Sequence, residues 1–126
     1  MRTKKLRVMS TLRNRVQLIG RVGKDPEIVD LENGKKMAKF SLATTENYVD
    51  KRGERIEMTN WHQVSFWNGS VPIIEKMVSK GIEIAVEGKL SSRSWEDMNG
   101  NRHYFTQIIG YNLILMGRKE RSMVEQ

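Results

Sequence analysis

The stretch Thr59-Asn60-Trp61-His62-Gln63-Val64-Ser65-Phe66-Trp67 decides how the rest of the chain is read. In a β-strand successive side chains point to opposite faces, so Thr59, Trp61, Gln63, Ser65 and Trp67 share one face and Asn60, His62, Val64 and Phe66 the other. Val64 and Phe66 belong in a core. Gln63 and Ser65 do not, so the face carrying Trp61 and Trp67 is expected to look outward, with large rings in or near solvent. Spaced aromatics among small polar residues are what stacking of unpaired bases requires, because every base offers a π-face. The competing reading is a strand buried on both sides.

The rest of the composition narrows the class. A chain of 126 residues is most simply one domain that buries a core without covalent staples. It has no cysteine, which excludes a disulfide scaffold and thiolate zinc sites and permits a reducing compartment. With only His62 and His103, any metal site would rest on carboxylates, and neither a metal nor any other cofactor is expected. There is no run of about 18 apolar residues, so a transmembrane helix is excluded and a soluble protein without a membrane partner is expected.

The net charge of +7 points toward nucleic acid, but its location qualifies that inference. Residues 1–15 carry Arg2, Lys4, Lys5, Arg7, Arg13 and Arg15 with no acid, whereas acids and bases cancel over residues 16–116. Attraction for phosphate must therefore come from the N-terminal arm and from the arrangement of charge on the body. For the arm, residues 1–14, three readings compete: a flexible phosphate-touching segment, a leader with no role, or an organelle-targeting presequence.

Along the body, Val16 to Val22 alternates as a strand that Lys24-Asp25-Pro26 breaks, and Ile28 to Leu31 resumes it. Asn33-Gly34 supplies a tight turn into Lys36 to Thr44, with Ala38, Phe40 and Leu42 inward. Residues 45–55 read as a polar loop in which Tyr48 sits among Lys51, Arg52 and Arg55, the mixture of ring and cation that a sugar-phosphate strand exploits. After the Trp61 strand, Ser70 and Pro72 open a short helix with Val71, Ile74, Met77 and Val78 on its apolar stripe, closed by Gly81. Ile82 to Leu90, Ser91 to Glu96, an Asn99-Gly100 turn and Tyr104 to Met116 make a long final hairpin bearing Arg93 and Trp95 on one face.

Strands, one helix and two more strands give an all-β chain with the order of a five-stranded OB-fold barrel: one short helix between strands 3 and 4, with extended β-hairpin loops. The aromatics then point to the ligand. Tyr48, Trp61, Trp67 and Trp95 are expected to form a stacking platform, with Arg15, Arg21, Lys24, Lys51, Arg52, Arg55, Lys80, Lys89 and Arg93 around it. His62 lies on the inward parity with no nucleophile or acid-base partner in sequence, which favours a core or subunit-interface role over catalysis, and no enzyme is expected. Single-stranded RNA binding and an aromatic face used for protein contact are the rivals, because stacking ignores the 2′-hydroxyl.

Several segments in order make the chain resemble the bacterial single-stranded DNA-binding protein family, which is also represented in mitochondria. They are Asn14-Arg15-Val16-Gln17-Leu18-Ile19-Gly20, Gly23-Lys24-Asp25-Pro26-Glu27, Phe40-Ser41-Leu42-Ala43-Thr44-Thr45-Glu46, Thr59-Asn60-Trp61-His62, Gly88-Lys89-Leu90 and Arg93-Ser94-Trp95-Glu96-Asp97. The resemblance covers roughly residues 14–117. It implies an OB domain over 15–117 that coats single-stranded DNA without sequence preference during replication, recombination and repair. It also implies stacking at Tyr48, Trp61, Trp67 and Trp95, a homo-oligomer, namely a homotetramer, with His62 near a subunit contact, and a cytoplasmic, nucleoid-associated or mitochondrial-matrix location. Residues 118–126 lack the acidic tip through which many members recruit partner enzymes, so such recruitment is not expected from this sequence.

Overall fold

The computed structural model describes residues 12–117; the basic segment 1–11 and the tail 118–126 lie outside the described residues. Strands β1 (Val16–Val22), β2 (Glu27–Asp30), β3 (Lys36–Val49) and β4 (Arg55–Trp67) precede helix α1 (Val71–Met77), and β5 (Glu83–Glu96) and β6 (Arg102–Gly117) follow it. Hydrogen-bonded neighbours run β1-β5-β6-β4-β3, and β3 returns to β1 through Arg21 opposite Ala43 and Val22 opposite Leu42. Five strands thus close an OB barrel. β2 is a four-residue strip on the outer edge of β3. The parallel join of β4 to β6, at Val64–Ile108 and Ser65–Ile109, completes the closure, and the helix falls between the third and fourth barrel strands as expected.

Alternation fills the barrel. Ala38, Phe40 and Leu42 from β3, Val64 and Phe66 from β4, and Ile84 and Val86 from β5 all point inward and are buried. Phe40 and Phe66 stack with centroids 6.3 Å apart and planes inclined by 12°. Val71, Ile74 and Val78 bring α1 onto this core.

Two local expectations fail at the helix. Met77 shares the sequence spacing but is exposed, because the helix ends there and Val78 turns inward from extended backbone. Gly81 does not terminate α1; it sits at φ +89° in the following turn, where its N–H donates to the Val22 carbonyl at 2.8 Å.

A larger correction concerns residues 45–55. Most of this polar segment is strand, and only Asp50 to Glu54 turns. Beyond the Ala43–Trp61 pair, β3 and β4 leave the barrel as a two-stranded arm paired from Thr44–Asn60 to Val49–Arg55. Beyond Leu90, β5 and β6 form a second arm of equal length, paired from Ser91–Gln107 to Glu96–Arg102. Polar side chains suit both ribbons because each is wet on its two faces, while the ladder satisfies the backbone.

Candidate nucleic-acid interface

The outward face of β4 develops from register. Trp61 lies opposite Ala43 and Gln63 opposite Ser41, while Ser65 faces Lys39 and Trp67 faces Met37. Ala43 in turn faces Arg21 of β1, so Arg21, Ala43 and Trp61 form one row across three strands. Trp61 is 60% exposed, as the outward reading requires. Its ring lies against Gly23, where a methyl group would sit 2.6 Å from Cζ3, so the glycine gives the indole its seat.

Trp67 behaves differently. It is half-buried, and its Nε1–H donates to Ser65 Oγ at 3.3 Å, reaching back along its own strand. Ser65 is consequently buried despite its outward parity. Lys24, Asp25, Glu27, Lys39, Ser41 and Gln63 border a shallow depression of about 190 Å³, in which Lys39 Nζ lies 3.8 Å from the Glu27 carboxylate. Lys39 was not singled out by sequence reasoning. Its signal is cross-strand register, since it belongs to β3 and faces the outward side of β4.

Tyr48 and Trp95 occupy equivalent places on the two arms. Each stands two residues before a turn aspartate, Asp50 or Asp97, in turns of one plan. Asp50 Oδ1 accepts the Arg52 and Glu54 amides at 2.9 Å, and Asp97 Oδ1 accepts those of Asn99 and Asn101 at 2.9 Å. Gly53 and Gly100 both sit at φ +84°, the left-handed conformation such loops need. The second turn is therefore not the two-residue Asn99-Gly100 hairpin expected, and Asn99 is not among the residues with positive φ. The aspartate carboxylate, which holds two amides, selects the longer loop.

Asp97 also accepts from His103 Nε2 at 2.8 Å. That bond first, and then the backbone amides, hold its carboxyl below the ordinary value of 3.8. A depressed folded-state value means the turn gains order above the ordinary value and loses it as pH falls through the folded one. Protection of the Asn99 and Asn101 amides, measured as exchange relative to the intrinsic rate at the same pH, is expected to fall in Asp97→Ala at neutral pH, and in the parent only as pH drops below the ordinary carboxylate value.

The rings do not form one pocket. Trp61 and Trp67 are six residues apart on one face, about 20 Å along the strand. Tyr48 faces Ile56, on the ladder face opposite to Trp61, near the tip of the first arm. Trp95 is on the second arm, stacked on His103 with centroids 5.4 Å apart. The rings are separate stations, each suited to a different base.

The cations divide in the same way. Lys51 and Arg52 crown the first arm beside Arg55 at the start of β4, and Lys89 is exposed near the root of the second. Arg93 lies over the Phe105 ring, 5.6 Å from its centroid. Arg15 is ion-paired with Glu87, Arg21 donates to the Gly81 carbonyl at 3.0 Å, and the Lys80 amide is held by Asp25 at 2.8 Å. The Arg15 and Arg21 side chains thus already have partners. His62, on the inward parity of β4, is half-buried with Nε2 2.9 Å from Thr44 Oγ1. Asn14, counted with the arm by composition, instead extends the β1–β5 ladder, its side-chain amide bonding the N–H and C=O of Leu90 at 2.9 and 3.0 Å.

An OB barrel carrying exposed rings and cations along one strand face and two arms defines a single-strand nucleic-acid-binding class. The sequence profile of the single-strand binding protein family matches residues 13–116, and the chain belongs to that family. It is 43% identical over 119 residues to the single-stranded DNA-binding protein of Rickettsia prowazekii (strain Madrid E), covering 90% of this chain and 78% of that one. It is 40% identical over 108 residues to single-stranded DNA-binding protein 1 of Xylella fastidiosa (strain 9a5c), covering 85% and 79%. Among solved structures it is similar to the Plasmodium falciparum SSB complex with ssDNA, at TM-score 0.75 and 37% identity over 82% of this chain and 94% of that one.

Proposed function

We propose that the protein coats single-stranded DNA without sequence preference, stacking bases on Trp61, Trp67, Tyr48 and Trp95 while Lys24, Lys51, Arg52, Arg55, Lys89 and Arg93 face the phosphates. No chemistry is involved; the strand is kept unpaired for replication, recombination and repair. The observation that carries this reading is Trp61, a 60% exposed indole seated on glycine at the root of an arm. Arg15 and Arg21 take a lesser part, because the ion pair of Arg15 and the carbonyl bond of Arg21 engage their guanidinium groups, whereas Lys80 is held to Asp25 only through its main-chain amide and its ammonium joins the phosphate contacts.

Assembly as a homotetramer is part of the same proposal. Ile19, Ala85 and Ile114 lie abreast on β1, β5 and β6, and Ile19 and Ile114 are more than half exposed, an apolar row suited to a second copy. His62 belongs to a subunit contact in this scheme. A DNA-coating role puts the protein with the bacterial nucleoid, or its counterpart in the mitochondrial matrix.

A salt-varied titration with oligothymidylate and duplex DNA tests the reading. Single strands are expected to bind far more tightly, with log affinity falling against log salt at about −0.7 per phosphate neutralised. Equal affinity for duplex, or no salt dependence, overturns it. Sedimentation of the same samples at the mass of a single chain overturns the tetramer.

A further inference from the structure

The two arms share a turn plan but differ beneath their aromatic rings. Tyr48 is paired across the ladder with Ile56, whereas Trp95 is paired with His103. The imidazole and indole planes are inclined by only 25°. Asp97 holds the imidazole from beyond, through Nε2 at 2.8 Å, and is itself locked by the Asn99 and Asn101 amides. One face of Trp95 is therefore supported while the residue remains half exposed. A ring held in place loses less freedom when a base stacks on it.

We propose that His103, held by Asp97, is the positioning residue for Trp95 and the lower layer of a two-ring platform whose grip on DNA tightens when the imidazole is protonated. The proposal rests on single-stranded DNA being the ligand, as above. Histidine changes charge in the physiological range. An imidazolium beneath an indole adds a cation–π attraction and places positive charge beside the bound phosphates. The groups around it do not change charge in that range. Asp97 stays ionised, since His103 and the backbone amides hold its carboxyl below 3.8. Arg93, the next residue on this face of β5, is permanently charged over Phe105. Glu96 and Arg102, on the opposite face, are paired with each other at 3.9 Å.

The test measures the affinity of rhodamine-labelled oligothymidylate by anisotropy at constant ionic strength, at about pH 6 and about pH 8. The parent is expected to bind about three-fold or more tightly at the lower pH. His103→Phe, which keeps a flat ring under Trp95 but loses the bond to Asp97, is expected to bind more weakly than the parent at the higher pH, to bind more tightly than His103→Leu, and to lose the pH dependence. His103→Leu, similar in bulk without a ring face, is expected to bind about three-fold or more weakly than the parent at both. In the DNA-free protein, the Trp95 contribution to fluorescence, taken as the difference from Trp95→Phe, is expected to fall on acidification and to stay constant when His103 is Phe.

A pH dependence that survives in His103→Phe, a His103→Leu protein that binds like the parent, or a pH-independent Trp95 signal each overturns the proposal. A parent protein that shows the fluorescence change but binds no oligothymidylate overturns the functional reading and the DNA role of the pair together. Tight binding without that change overturns the pair alone.

Discussion

Replacing Trp61 by alanine is expected to weaken oligothymidylate binding by about 1–3 kcal/mol, about 5- to 150-fold, while the melting temperature stays near that of the parent. The separation follows from geometry. Trp61 is 60% exposed and lies on Gly23, so its removal opens no cavity in the barrel. Trp67→Ala is a less clean probe, because the half-buried indole also bonds the buried Ser65 hydroxyl and its loss touches packing as well as DNA. Anisotropy titration alongside thermal melting distinguishes the two. An unchanged affinity in a folded Trp61→Ala protein would remove the central station of the platform.

Phe66→Ala should produce the opposite pattern, a loss of about 3–5 kcal/mol in unfolding free energy. The ring is 2% exposed and stacks on Phe40, so truncation leaves a void that the closed barrel can fill only in part. Set against the roughly 5–15 kcal/mol that holds a domain together, such a loss lowers the denaturant midpoint markedly. Binding should survive at temperatures where the variant remains folded. A midpoint within error of the parent would mean that Phe66 is not the core residue its burial indicates. Trp61 and Phe66 are five residues apart on one strand, and the parity that separates them divides affinity from stability.

That parity was legible without a structure. Alternation placed Ala38, Phe40, Leu42, Val64, Phe66, Ile84 and Val86 inward, and all seven are buried. The order of strands around one short helix indicated the OB barrel, and the arrangement bears it out. Parity was less secure where side chains cross it: Ser65 is outward by count yet buried, because the indole of Trp67 folds back to its hydroxyl. Composition misled at residues 45–55, where polarity suggested a loop. A strand wet on both faces has no apolar period to betray it.

By itself the amino-acid order determined the period-two pattern, the breaks at proline and glycine and the supply of rings and cations, because each depends on residues a few positions apart. Tertiary structure alone decided which distant residues meet. It brought Gly23 under Trp61 and Lys39 beside the tryptophan face, joined Glu87 to Arg15, and put His103 beneath Trp95. Those meetings are set by register when the ladders close, and register is chosen by the whole barrel burying its core at once.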